Sequence, residues 1–340
     1  MLRVWIAGLL CCGLFAESAR AQEHTLLMLS HSDFTIYQVE PGSGTILNQF
    51  VAKEEPHEAA ITPDMQTLFV AVPQGGHVVI LDAATLTLKG VIESPYFRRL
   101  KAIGNPPSTS ASPHAIAVNN EGTKLYVGLE NGEVPGLVVY DIKAGKVIKK
   151  LDLLLNGGHY MAMQPGTDKL YYPHRADNRV VVIDAKTDRV TKIIPVAGGP
   201  VGVDFAPNGD VWLHEDGDGS VTVVDSRTDE VVQIIKTEGL GAGRIAVSPD
   251  GRYAASPHRN SGDVAIIDAN TKQIVANLKL GEPPYLGFPV FSPDSKKLYI
   301  MEFQGGALST IDLGSMKVES RYKLGEDPFG GVIRLTKGKQ

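Results

Sequence analysis

Histidine is the residue type whose placement in this sequence points to chemistry. Nine are present. Three of them, His57, His114 and His159, each stand five residues before the start of a turn signal: Thr62-Pro63-Asp64, Asn119-Asn120-Glu121-Gly122 and Gln164-Pro165-Gly166. The same place further along the chain is taken by Val201, Gly243 and Gly287. A second set recurs about ten residues before a strand-ending acid. His174 and His258 fall on that position, His214 one residue before it (with Glu215 on it) and His31 one residue after it, while Glu302 occupies it in the last unit. Neutral imidazole is a ligand for zinc, copper, iron and nickel. Three such rings aimed at one point leave a coordination position open for water, and a bound ion lowers the pKa of that water toward neutrality.

The spacing therefore nominates His57, His114 and His159 as core ligands of a transition metal, zinc or copper. His31, His174, His214 and His258 are additional ligands or substrate-facing groups, and Glu215 and Glu302 are candidate general bases beside Glu130. Arg98 is a candidate for substrate contact, with Arg99, Arg175, Arg244 and Arg259 placed near the same positions, because guanidinium pairs bidentately with carboxylates. Hydrolysis or lyase chemistry on a small anionic molecule is the enzymatic expectation. The alternative is a non-enzymatic scaffold binding a ligand or a protein partner, its histidines serving only to satisfy hydrogen bonds in a wet channel. Asp216-Gly217-Asp218-Gly219 lacks the ligand spacing of a calcium-binding EF-hand loop and reads as an ordinary turn.

These histidines gather only if a repeating element brings them together, and the repeat is plain. An alternating apolar run ends in an acid, followed after two residues by Thr or Ser: His-Val-Val-Ile-Leu-Asp82, Arg-Val-Val-Val-Ile-Asp184, Val-Thr-Val-Val-Asp225 and Asp-Val-Ala-Ile-Ile-Asp268. Looser copies end at Glu40, Asp141 and Asp312, so the acids step by 42, 59, 43, 41, 43 and 44 residues. Seven marks at this period match the blade length of a β-propeller. Each unit also contains a short strand, a Pro/Gly turn, a second strand, the acid-terminated third strand and a departing fourth, which is a four-stranded antiparallel blade. Thr-Leu-Leu-Met-Leu-Ser, Phe-Thr-Ile-Tyr-Gln-Val-Glu and Thr-Ile-Leu-Asn-Gln-Phe near the start supply three strands of one blade. Phe-Gly-Gly-Val-Ile-Arg-Leu-Thr near the end has the character of its missing first strand, and pairing the two removes exposed edges. The expected fold is all-β: one seven-bladed propeller over residues 22–340. Phe69, Tyr126, Tyr171, Trp212, Tyr253 and Tyr299 recur in the second strands and read as packing between blades.

Ser248-Pro249-Asp250-Gly251, Leu125-Tyr126-Val127 and Val181-Val182-Ile183-Asp184 make the units resemble the YVTN-type propeller repeats of exported bacterial and archaeal proteins. The resemblance spans nearly the whole chain after its first two dozen residues. It implies the fold and an exported protein, and it leaves open whether the chain is a hydrolase, a lyase, part of an electron-transfer enzyme or a binding scaffold.

The first 21 residues carry Arg3, an apolar run from Val4 to Phe15, and Ala19-Arg20-Ala21, the order of a cleaved secretory signal. Periplasmic or secreted localisation is the expectation, with no membrane span after cleavage. Both cysteines, Cys11 and Cys12, lie in this segment, so disulfides, thiolate metal sites and a cysteine nucleophile are excluded from the remainder. Net charge is −5 with no long basic run, which argues against nucleic acid as a partner. The 59-residue step holds an insertion over 94–113, whose Tyr96, Phe97, Arg98 and Arg99 are expected to reach over the channel mouth.

Overall fold

The blade is built from its turns. In every unit the acid that ends the third strand accepts hydrogen bonds from backbone N–H groups of the turn that follows. Ala84 and Thr85 donate to Asp82, Thr187 to Asp184, Arg227 to Asp225, Asn270 and Thr271 to Asp268, Ala144 to Asp141, Ser315 to Asp312, and Gly42 and Ser43 to Glu40. A carboxylate there does the work of a local cap, which is why an acid recurs at that position. The third strand is buried on both faces because it lies inside the blade stack, as in Ala307–Asp312, where only the terminal acid is partly exposed.

The computed structural model describes residues 23–98, 111–130, 135–153, 158–280 and 286–336. They form seven four-stranded antiparallel sheets arranged in a ring. Blade 2 runs from the centre outward as Glu58–Ile61, Thr67–Val72, His77–Asp82 and Leu88–Ile92. Blades 3 to 7 repeat this order, their innermost strands being Ser112–Val118, Ala162–Met163, Pro200–Phe205, Ala246–Val247 and Leu286–Phe291. Blade 1 is made from both chain ends. Pro328–Leu335 is its inner strand and pairs antiparallel with His24–Ser30, Leu26 facing Ile333 and Met28 facing Gly331. The ring is closed by that pairing, as the sequence pattern requires. The expected signal segment lies outside the described residues.

Seven apolar clusters hold the ring, one at each blade interface. The six second-strand aromatics are all buried in them. Several are also tied by polar clasps to the next blade. Tyr126 donates to Asp188 Oδ1 at 2.6 Å and Lys124 reaches the same carboxylate, while Tyr171 and Lys169 hold Asp229 in the same way. The outermost strands, such as Thr45–Val51, are largely exposed. Among the described residues no helix is long and apolar enough to cross a membrane.

Candidate metal centre at the mouth of the ring

The first-strand register places one residue per blade around the mouth. His57 immediately precedes Glu58–Ile61, His114 is the third residue of Ser112–Val118, and His159 precedes the short strand of blade 4. Val201, Gly243 and Gly287 occupy the place in blades 5 to 7, and Phe329, second residue of the closing strand, occupies it in blade 1. His31 enters from the turn after His24–Ser30. The result is an arc of imidazoles: ring centroids are 5.1 Å apart for His31 and His57, 4.2 Å for His57 and His114, and 5.0 Å for His114 and His159. Phe329 covers the arc, 4.2 Å from the His31 ring and 5.1 Å from that of His57, with Phe303 behind it.

Carboxylates stand against these rings. Glu55 Oε1 is 3.2 Å from His31 Nδ1, Glu130 Oε2 is 3.4 Å from His114 Nε2, and Glu58 Oε1 is 3.9 Å from His57 Nδ1. One ligand atom each from His31, Glu55 and His57 lies within 4.8 Å of the others. A tetrahedral zinc ion with bonds of about 2.1 Å sets its ligand atoms about 3.4 Å apart, so the group has to close by at most about 1.4 Å. His31 Nε2, His57 Nδ1 and His114 Nδ1 are buried without a hydrogen-bond partner among the described residues. Burial of an unpaired ring nitrogen is costly, and a cation would remove the cost.

Electrostatics keep these rings neutral. Burial pushes His31 and His114 down to about 3, helped at His31 by the neighbouring His114 and at His114 by Arg244. His57 and His159 are also held well below the ordinary histidine value, by burial first and then by their histidine and arginine neighbours. A neutral imidazole offers a lone pair, which is the form a metal takes.

His159 differs from the other three. The guanidinium of Arg244 is clamped by Glu58 and the Val201 carbonyl, and its Nη1 donates to His159 Nδ1 at 2.6 Å. An arginine cannot accept a proton there, so Nδ1 is the acceptor and the ring hydrogen sits on Nε2. Arg244 is itself stacked between Tyr160 and Phe288, 4.9 and 5.0 Å from their centroids. Glu58 is buried, and desolvation raises it to about 7 against the pull of Arg244. Next to this group, on the side where blades 6 and 7 carry glycine, a small pocket open to solvent is lined by His159, Arg244, Arg259, Phe288 and Phe329.

No protein-family profile matches the chain, and no curated protein matches it. Solved structures do match. A functionally unknown protein from Desulfotomaculum acetoxidans is similar with a TM-score of 0.75 at 16% identity, over 93% of this chain and 100% of that one. Kuenenia stuttgartiensis hydrazine synthase gives 0.67 at 21% identity over 80% and 88%. The dihydro-heme d1 dehydrogenase NirN, in complex with DHE, gives 0.67 at 17% identity over 91% and 74%. The likeness is one of fold.

The remaining residues singled out in the sequence lie apart from the arc. His174 is buried against the Tyr172 ring, 4.4 Å between centroids. His214 Nε2 and the Ser256 hydroxyl are 3.0 Å apart, and its ring is 5.2 Å from that of His258. His258 lies between Asp263 (3.1 Å) and the Thr237 hydroxyl (2.8 Å). That order of atoms matches a hydroxyl–imidazole–carboxylate triad. Thr237, however, donates its proton to the Gly219 carbonyl at 2.6 Å, and His258 is fully buried. The arrangement is a lock between loops of blades 5 and 6. Glu302 is buried and ion-paired to Arg321, with Ser309 donating to it. Glu215 is buried, accepts from Thr222, and is raised by desolvation. Asp216 beside it binds both Arg175 and Arg259, linking blades 4, 5 and 6.

In the insertion, Phe97 is buried in the cluster between blades 2 and 3 with Tyr96 packed beside it, not over the mouth. Arg98 is half-buried and its backbone N–H donates to the Ala111 carbonyl, while residues 99–110, Arg99 included, lie outside those described. Glu55, Glu58 and Phe329 belong to the site and were not singled out from the sequence. The two acids were signalled by the run Glu54-Glu55-Pro56-His57-Glu58. Phe329 was signalled by its place in the closing strand.

Proposed function

We propose that this chain is an exported propeller of the YVTN type, active in the periplasm or outside the cell, that binds a transition metal, zinc or copper, at the mouth of its ring. His31, His57 and Glu55 are the ligands, with His114 beside them as a fourth. The observation that carries the reading is the convergence of two imidazoles and a carboxylate within 4.8 Å, with unpaired buried ring nitrogens on His31, His57 and His114. His159, its Nδ1 engaged by Arg244, serves as an N–H donor toward substrate instead. A water on the metal would then be the nucleophile or base for hydrolysis or elimination on a small anionic molecule.

The test is elemental analysis of the protein purified without a polyhistidine tag after native export. One equivalent of zinc or copper is expected, lost in His31→Ala/His57→Ala and bound at least about tenfold more weakly in Glu55→Gln. No metal after native export, together with an unchanged melting temperature on adding zinc or copper, sinks the reading and leaves the non-enzymatic ligand- or protein-binding scaffold in its place.

A further inference from the structure

The cavity beside His159 has a composition of its own. Its charged and titratable lining side chains, among the described residues, are Arg244, Arg259 and His159; no carboxylate lines it. The acids that pair with the two arginines, Glu58 and Asp216, stand behind the wall. Arg244 is 4% exposed, and its Nε has no hydrogen-bond partner among the described residues, so a guanidinium fixed at three other points keeps an unused donor. His159 contributes the Nε2–H that its contact with Arg244 dictates. The rest of the wall is apolar, with Phe288 and Phe329 5.7 Å apart in an edge-to-face arrangement and Val201 also lining it.

Blades 6 and 7 carry glycine at the mouth because their backbones approach closely there. A Cβ on Gly243 would approach the Gly287 carbonyl to 2.7 Å, and one on Gly287 would approach the Phe329 carbonyl to 2.7 Å. Where blades 2 to 4 fill the mouth with imidazole, blades 6 and 7 leave it open. Guanidinium and N–H donors next to aromatic rings select a molecule with one anionic end and an apolar body.

We propose that this cavity is a binding site for a small monocarboxylate with a compact apolar or aromatic body. The carboxylate lies against Arg244, Arg259 and the His159 N–H, and the hydrocarbon part lies against the faces of Phe288 and Phe329 that line the pocket. As an assignment of substrate class this rests on the metal-site reading above, since the ligand would lie beside the arc of histidines. As a binding site it stands on the cavity alone. Bidentate recognition by guanidinium requires charge on the ligand, so a neutral isostere is discriminated against by loss of a charge-assisted hydrogen bond.

The experiment is calorimetric titration of the chelator-treated full chain with benzoate and with benzamide. Benzoate is expected to bind, benzamide to bind at least about tenfold more weakly, and Arg259→Gln to lower benzoate affinity by a similar factor while thermal unfolding stays cooperative. Phe288→Ala is expected to weaken benzoate and leave acetate, which has little apolar body, unaffected. Equal binding of benzoate and benzamide overturns the proposal, as does absence of benzoate binding at millimolar concentration. Benzoate binding that appears only after metal is added also overturns it, because the ion and not the pocket then holds the carboxylate. Failure to take up metal with benzoate binding intact removes the metal reading and leaves this site standing.

Discussion

At the level of single residues, the ring buries more ionisable groups than its stability needs, and they do not all pull the same way with pH. His214 is fully buried between Ser256 and the Arg244 carbonyl, and desolvation lowers it to about 3. An unfolded histidine titrates near 6.5. Between those values the unfolded chain holds a proton that the folded one refuses, so its contribution to stability is complete above about pH 6.5 and is lost as pH falls toward 3. His31 and His114 behave alike. Glu58, raised to about 7, and Asp204, raised to about 6 by burial, run the other way, losing stability as pH rises through those values. The lowered histidines are joined by turn carboxylates such as Asp82 and Asp218, each held down to about 2 by hydrogen bonds to its neighbours, so metal-free protein is expected to lose stability on acidification below pH 6. His214→Gln should be less stable than the parent at pH 7, where it gives up one buried hydrogen bond. The gap should narrow on acidification at a rate approaching about 1.4 kcal/mol per pH unit. Urea denaturation midpoints at pH 7, 6 and 5 in chelator decide it; parallel curves for the two proteins would mean that His214 is not held neutral in the fold.

At the level of the strand and its turn, blades are joined by clasps that cross from one blade to the next. The turn after Arg179–Asp184 carries Asp188 with φ 52°, and the turn after Val221–Asp225 carries Asp229 with φ 55°. Aspartate tolerates this left-handed conformation better than most residues, and each side chain is then aimed at the tyrosine and lysine of the preceding blade. Asp229→Ala strips acceptors from Tyr171 and Lys169 while also placing alanine at positive φ. A loss of about 2–4 kcal/mol is expected, with Asp229→Asn recovering part of it, measured by chemical denaturation. A loss equal to that of an exposed turn substitution would show that the clasp is ornamental.

This is also the scale at which the sequence was most legible. The strand-ending acids and the hairpin turns are set by contacts within about ten residues, the buried aromatics by their recurrence at one place in the second strand, and all of them are found where the pattern places them. The site was legible only in outline. Register could gather His57, His114 and His159, but it could not say that Arg244 crosses from blade 6 to Glu58 of blade 2, 186 residues away. The same arginine occupies Nδ1 of His159, which leaves the ring hydrogen on Nε2. Register likewise brought His174, His214 and His258 to the correct strand ends, where local loops close over them: a Cβ on Gly239 would meet the His258 ring at 2.0 Å. Tyr96 and Phe97 were misplaced because an apolar residue in an insertion packs into whatever core lies open, here the interface of blades 2 and 3.

For the whole molecule, the closing strand is both latch and part of the site. Pro328–Leu335 pairs with His24–Ser30, and its other neighbours are the inner strands of blades 2 and 7. Removing it would expose the backbone edge of His24–Ser30 and uncover Leu26, Met28 and Phe288, which pack in the cluster between blades 1 and 7. An unpaired apolar edge of that kind recruits other chains. It would also remove Phe329, which covers His31 and His57. The two roles separate by variant. A chain ending at residue 327 is expected to aggregate or to form strand-exchanged oligomers in size-exclusion chromatography. Phe329→Ala should keep the ring closed and monodisperse, lose about 1–3 kcal/mol because the ring is only partly buried, and admit water to the imidazole arc. If the truncated chain were monomeric and as stable as the parent, closure by the two chain ends would not be what holds the propeller, and the mouth would have to be organised by its remaining six blades.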